Sequence, residues 1–421
     1  MTATAIESRQ RAWALGLLLV IYVFNFIDRS ILSILLQPFK AEFHPSDMAL
    51  GLLSGIAFAA IYSTLGIPIA LLADRGSRKT IVSLSLFVWS AMTALCGLAT
   101  SFTQLFLARI GVGIGEAGCS PAAHSMIADS FPPERRASAF GIYSLGIPIG
   151  AAFGVFAGGW INEWFGWRTA FLVVGLPGVA LAVVAQLTLH EPPRVAHAND
   201  PPSAAQVARH LWALRSFRHL SIAGSLHALV AYGVATWNAA FLMRMHGMGT
   251  GEAGSWLAGL ALVAGGLGTY AGGVLTDRLW RSNARWSLWL PGISILVAAP
   301  FSVGFYLLPD TLMALACAAP ATLLGATYLA PTFATTQALA TPRMRAAASA
   351  VLLFLLNLIG MGLGPLAVGA ASDFLARAAG LGDASLRWAL LLVTLVNFWA
   401  AAHYFLGART LRADLARVSR S

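Results

Sequence analysis

Charge is scarce in this chain: Asp, Glu, Lys and Arg make up 10% of its 421 residues, where a soluble domain carries roughly a quarter. Set against 58% hydrophobic residues, that shortage excludes an ordinary globular enzyme. Cysteine is also rare, and Cys96, Cys119 and Cys317 all fall in apolar stretches, which argues against a disulfide framework. Together with His124 and His227 they show no metal-ligand spacing. No glycine-rich phosphate loop ending in Lys-Ser or Lys-Thr follows a strand, and the glycines near residue 115 are only a weak look-alike for a nucleotide fingerprint. Neither a metal nor any other cofactor is expected, and ATP hydrolysis is not expected as the energy source.

Long apolar runs are what the sequence does have. They cover approximately 13–39, 49–73, 80–99, 102–128, 139–162, 169–189, 218–243, 253–276, 286–308, 311–337, 347–372 and 386–408. Each is long enough for a helix of about 20 residues to cross roughly 30 Å of hydrocarbon. The expectation is an all-α membrane protein of twelve transmembrane helices. The first run exceeds a signal-peptide core, holds charges and lacks a small-residue cleavage site, so it is expected to remain in the mature protein. The net charge of +10 marks one side of a membrane rather than a nucleic-acid partner. Of the 27 Lys and Arg residues, twenty fall on the side of the N-terminus, from Arg9 and Arg11 to Arg417 and Arg420, and five on the other (Lys40, Arg168, Arg244, Arg377 and Arg387). By the positive-inside rule both termini are expected in the cytoplasm. Arg29 and Arg109 lie within runs.

The longest polar stretch carries Glu191-Pro-Pro-Arg194 and Asp200-Pro-Pro-Ser203 and splits the runs six and six. This predicts two six-helix bundles, 1–189 and 218–421, joined by a cytoplasmic linker, 190–217. The halves echo each other. Asp74-Arg75-Gly-Ser-Arg78-Lys79 follows the second run and Asp277-Arg278 the eighth; Gly146-Ile-Pro148-Ile-Gly150 in the fifth is echoed by Gly364-Pro365 in the eleventh. Such pairs are the mark of an internally duplicated transporter.

Over nearly its whole length the chain resembles a major facilitator superfamily transporter. The Asp74 to Lys79 segment is similar to the superfamily's signature loop, and the Asp277-Arg278 copy adds to the match. Within the superfamily it most resembles the spinster-like lipid transporters, through Asn25-Phe-Ile-Asp28-Arg29, Arg109-Ile-Gly-Val-Gly-Ile-Gly-Glu116-Ala117, Phe131-Pro-Pro-Glu-Arg-Arg136 and the Gly-Ile-Pro run. Ile147 separates Gly146 from Pro148, which weakens an antiport reading taken from that motif alone.

Asp28 and Arg29 sit near the middle of the first run, where an ionised group costs at least about 2.5–3.5 kcal/mol. Arg109 and Glu116 are two turns apart in the fourth and share a face about 10.5 Å apart along the axis. Protonating either acid would release an arginine for an anionic substrate group; the plainer alternative is a structural ion-pair network. The resemblance implies proton coupling by Asp28 and Glu116, with ion pairing or head-group recognition by Arg29 and Arg109. Asn25 is placed with them. Gly113, Gly115 and Pro121, with Gly146, Pro148 and Gly150, are expected to permit close packing or a hinge. Asp74, Arg75, Arg78 and Lys79, with Asp277 and Arg278, are expected to gate, against the alternative of topology-setting loop charges.

In the second half, Trp237, Asn238, Tyr328 and Asn357, with Tyr232, are candidate substrate contacts, although such a residue taken singly more often serves packing or a hydrogen bond. No formal charge falls well inside these second-half runs, so a cavity would be charged on one wall and apolar on the other, which suits an amphiphile. The expected protein is therefore not an enzyme but a monomeric, proton-coupled secondary transporter of the bacterial inner membrane, surrounded by membrane lipids. It would carry an amphipathic anionic or zwitterionic substrate by alternating access, and the resemblance points to lysophospholipids or sphingoid-type lipids. An organic-anion:proton symporter is the alternative within the superfamily, and a membrane enzyme or sensor the alternative outside it.

Overall fold

A computed structural model describes residues 3–57, 59–61, 64, 65, 69, 76–193 and 204–419. Every regular element among them is helical. Among the described residues ten helices are long and apolar enough to cross a membrane. Two of the twelve expected runs are not among these ten. The run at 49–73 passes over residues outside the described set. The run at 102–128 is interrupted at Ala117 and Gly118, between α4 (Phe102–Glu116) and α5 (Cys119–Ser130). Pro121 accounts for that break, because its ring has no N–H to offer the Ala117 carbonyl.

The chain forms two compact units. The first comprises Met1–Pro45, Ala57–His197 and Met248–Ala258. In it α1 (Ala3–Phe43) lies along α7 (Gly146–Phe165). Four glycines of α7, spaced four apart, permit the approach. A Cβ on Gly146 would stand 3.0 Å from Tyr22, on Gly150 2.4 Å from the Val23 carbonyl oxygen, on Gly154 2.7 Å from the Ile27 carbonyl oxygen, and on Gly158 2.6 Å from Ile31. Without a hydrophobic drive between helices in lipid, such backbone proximity supplies the packing. Helix α3 (Arg78–Cys96) is gripped in the same way: a Cβ on Gly115 would meet the Trp89 backbone nitrogen at 2.5 Å, and one on Gly175 of α8 (Trp167–Thr188) the Ala94 nitrogen at 2.5 Å.

The second unit comprises Ser46–Ile56, Ala198–Gly247 and Gly259–Ser421. It is built around α10 (Arg215–His246), packed on α17 (Gly362–Ala378) and α19 (Val396–Val418). The short helix α2 (Asp47–Ser54) belongs here, seated on α17. A Cβ on Gly51 would touch the Pro365 carbonyl oxygen at 2.6 Å, and one on Gly369 the Asp47 carbonyl oxygen at 2.2 Å. Two helices contain π-helical segments, Leu260–Gly265 and Leu356–Met361.

The α1–α7 contact makes a direct prediction. Gly150→Ala should cost about 1–3 kcal/mol by overpacking against backbone. Gly141→Ala, where nothing lies within 4 Å, should be neutral or slightly stabilising. Thermal unfolding of both variants in one detergent would check the contrast.

Candidate functional site: crossed ion pairs in the first unit

Asn25, Asp28 and Arg29 occupy one turn of α1 and so project toward neighbouring parts of the unit. Arg29 donates Nε–H to Glu116 Oε2 at 2.7 Å, and Arg109 donates from Nη1 to Asp28 Oδ2 at 2.9 Å. Two sequence neighbours on one helix thus bind two residues set two turns apart on α4. Asp28, Arg109 and Glu116 are all buried, whereas the Arg29 side chain is 17% exposed. Arg29 is the member of the four with access to what lies outside the protein interior. Removing one partner of such a buried pair typically costs about 3–5 kcal/mol, because the other charge is stranded.

The Thr93 hydroxyl of α3 reaches both Asp28 Oδ1 and, at 2.9 Å, the Trp89 carbonyl. A hydroxyl has one proton, so it cannot donate to both. When Asp28 is ionised the hydroxyl donates to the carboxylate. When Asp28 carries a proton, that proton is donated to Thr93 Oγ1, and the hydroxyl turns to Trp89. Asp28 therefore has a satisfied hydrogen-bond arrangement in either state. Glu116 ends α4, at the negative pole of the helix dipole, where a carboxylate is disfavoured. Arg29 offsets this on one oxygen, while Oε1 has no hydrogen-bond partner among the described residues. Both polar atoms of the buried Asn25 carboxamide and Arg109 Nε are likewise without partners there.

The family model described as Major Facilitator Superfamily matches residues 18–365. The chain belongs to that superfamily. It is 36% identical to an MFS-type efflux pump of Mycolicibacterium smegmatis, over 98% of this chain and 96% of that protein. It is 28% identical to Protein spinster homolog 1 of Bos taurus, over 89% of this chain and 75% of that one. Its fold matches, at a TM-score of 0.89 and 34% identity, a crystal structure of a bacterial homologue of the human lysosomal transporter Spinster in an inward-facing, unoccupied conformation. That match covers 96% of this chain and 98% of the other. This superfamily member is a multi-pass membrane protein and a secondary transporter of spinster type, not an enzyme.

The superfamily's signature loop enters the structure at its second half. Asp74 and Arg75 lie outside the described residues. Arg78 is buried at the start of α3 and acts as a hub. Its Nε donates to Glu191 Oε1 at 2.7 Å, Nη1 to Ser125 Oγ at 3.0 Å and to Asp129, and Nη2 to the Pro192 carbonyl at 2.7 Å. The Lys79 N–H donates to Glu191 Oε2 at 2.9 Å. The beginning of the linker is thus clasped to the N-terminal end of α3. In the second unit, Asp277 and Arg278 are exposed near the end of α12 (Gly266–Trp280).

The other expected contact residues of the transporter are distributed through the second unit. Trp237 is buried and its indole N–H donates to the Pro365 carbonyl at 2.9 Å. Asn238 accepts from the Tyr306 hydroxyl at 3.0 Å. Tyr328 packs edge-on against His227, with ring centroids 4.5 Å apart, and Asn357 lies within the π-helical segment Leu356–Met361. Tyr232 is exposed. In the first unit, Gly113 is buried in α4, while Pro148 lies on the exposed side of the first turn of α7.

Sequence reasoning passed over four acids and one base that the structure uses. Asp129 and Glu191 hold Arg78. Arg244, counted among the five basic residues on the side opposite the N-terminus, stands in the last turn of α10 with its side chain 3% exposed and forms two 2.8 Å bonds to Asp47. Asp373 accepts from the Asp47 and Met48 N–H groups at 3.0 and 2.8 Å, capping α2. Their positions at the edges of apolar runs gave no signal of pairing.

Burial raises the Glu191 carboxyl, but the Lys79 N–H, Arg78 and Ser77 outweigh it and hold the group below its ordinary value. A carboxyl depressed in the folded state contributes stability above its unfolded pKa and loses it as pH falls through the folded one. Glu191→Gln should therefore lower the melting temperature at pH 7, and the gap from wild type should close as pH drops below the usual carboxylate range. Melting curves over a pH series would show this.

Proposed function

We propose that this transporter couples proton movement to the passage of an amphipathic anionic or zwitterionic molecule by alternating access, with Asp28 and Glu116 taking the protons. The observation that carries the reading is the Asp28–Thr93–Trp89 arrangement, in which a buried acid keeps its hydrogen bonds whether charged or neutral. Protonating Asp28 loosens its hold on Arg109, and protonating Glu116 loosens its hold on Arg29. A released, accessible arginine then binds an anionic group. Emptying that site restores the ion pair and returns the proton. The cargo is a single-chain lipid of the lysophospholipid or sphingoid type. What favours an acyl chain in the cargo is the apolar and aromatic character of the candidate contacts Trp237, Tyr232 and Tyr328. The working location is a bacterial inner membrane, with both termini cytoplasmic and the protein a monomer.

Asp28→Asn and Glu116→Gln should each remain folded but lose accumulation driven by a pH gradient. Counterflow exchange, which needs substrate binding but no net proton movement, should persist. Proteoliposomes with an imposed gradient provide the measurement, and wild-type accumulation in both variants would refute the coupling role.

The substrate class has its own test. With a phosphate head held constant, affinity should rise with acyl length by about fourfold per methylene, the equivalent of roughly 0.8 kcal/mol. Arg29→Ala should weaken phosphate-bearing lipids more than uncharged amphiphiles of equal length. Binding is to be measured below the critical micelle concentration. A short carboxylate that outcompetes every lipid would point instead to an organic-anion:proton symporter.

A further inference from the structure

The second unit repeats the architecture that surrounds Glu116, with different chemistry. In the first half the fourth span breaks at Ala117 and Gly118, four residues before Pro121. In the second half the corresponding span breaks at Thr327 and Tyr328, between α14 (Thr311–Ala326) and α15 (Leu329–Ala338), and Pro331 stands four residues after Thr327. In each half the first span sends one side chain to the end of the helix that precedes the break. In the first half it is Arg29, to Glu116. In the second it is His227 of α10, whose Nε2 lies 2.9 Å from the Gly325 carbonyl oxygen. The other ring nitrogen, Nδ1, lies 2.8 Å from Asn397 Oδ1, in the first turn of α19.

We infer that His227, Gly325 and Asn397 form a second proton-binding site, which ties the protonation of the second unit to the break in its fourth span. A carbonyl only accepts, so Nε2 carries a hydrogen in every state. With Asn397 Oδ1 facing the ring, Nδ1 must carry one as well, and the imidazole is a cation. A half-turn of the carboxamide brings Nδ2–H to Nδ1, and the neutral ring is equally well bonded. Gain or loss of one proton thus costs one amide rotation and no hydrogen bond. The proton enters as H⁺ on the Nδ1 lone pair, and no other bond is made or broken.

Burial opposes the cation, but Gly325 lies in the last turn of α14, where the helix dipole favours positive charge. The titratable group packed on the ring is Tyr328, with Tyr232 and Tyr404 interacting with that phenol in turn. Farther along α10 and α19, His219 and His403 face each other, with their Nδ1 atoms 3.0 Å apart beside Arg218. Among the described residues no carboxylate, lysine or arginine acts on His227. A proton bound there adds an unbalanced charge to the second unit, whereas the four charges of the first sum to zero when both acids are ionised. Tyr328, one of the candidate substrate contacts, rests on the ring and sits in the break, so the proton is felt where the helix is interrupted.

The role in transport rests on the proton-coupled reading above; the proton site itself does not. The test uses the full-length protein with ¹⁵N-labelled histidine in lipid nanodiscs, without substrate. The His227 signal is assigned by its loss in His227→Gln, or by its shift in Asn397→Leu should the first variant fail to fold. The expected result is a neutral Nε2–H imidazole at alkaline pH that becomes doubly protonated on acidification between pH 8 and 4, with Asn397→Asp moving the midpoint upward. A ring that keeps one state throughout, or a midpoint indifferent to Asn397→Asp, overturns the site. In proteoliposomes His227→Gln should shift the pH profile of counterflow, and an unchanged profile overturns its part in transport. Loss of pH dependence in the wild type would refute proton coupling in general, while the nanodisc titration would still decide the site.

Discussion

Inside hydrocarbon an ionised side chain has no water to turn to, and the buried ion pairs among the described residues answer that constraint. Asp28 meets Arg109, Arg29 meets Glu116, and Asp47 meets Arg244. The crossed arrangement in the first unit depends on a register between α1 and α4 that brings adjacent residues to partners two turns apart. Helix α3 maintains it by placing Thr93 on Asp28 and receiving Gly115 against Trp89. Any device that uses these charges for transport has to change the pairing without stranding a member of it. A proton is the smallest agent that can do so.

Glycine performs the corresponding task for the backbone. On α7, Gly150 and Gly154 bring the helix against the main chain of α1 while Gly146 and Gly158 receive the Tyr22 and Ile31 side chains, and Gly51 and Gly369 set α2 and α17 backbone against backbone. Where backbone meets backbone, at Gly150, Gly154, Gly51 and Gly369, no flexible side chain stands between to absorb a displacement, and the packing resists local deformation. The softer places are the breaks at residues 117–118 and 327–328, where a proline leaves a carbonyl without its helical donor. Both lie beside titratable side chains.

Much of this was legible in the amino-acid sequence because hydrocarbon is so intolerant of exceptions. Asp28, Arg29, Arg109 and Glu116 stood out as charges inside apolar runs, and Pro121 marked its own break. What the runs did not reveal was which acid binds which base, since that depends on how two helices face each other. Asp129, Glu191, Asp47 and Arg244 were hidden for another reason: a charge at the end of a run looks the same whether it enters water or folds inward onto a partner. Nor does a lone histidine such as His227 announce the carbonyl and carboxamide that flank it. The match to spinster-type superfamily members agrees with the family reading made from the motifs in α1 and α4, while the cargo is a matter of side-chain chemistry that fold alone does not specify.

The π-helical segment Leu356–Met361 has a consequence for how the chain beyond it is to be read. A turn that closes on the fifth residue instead of the fourth takes in one residue more than a regular turn, and one residue is about 100° of helix. Pro365, Gly369, Ser372 and Asp373 therefore point where they do, toward α2, by virtue of that surplus position. Counting heptads or helical faces straight through it would assign every one of them to the wrong side. In a comparison of related chains, a single-residue gap here would signify a rotated half-helix rather than a trivial difference in length.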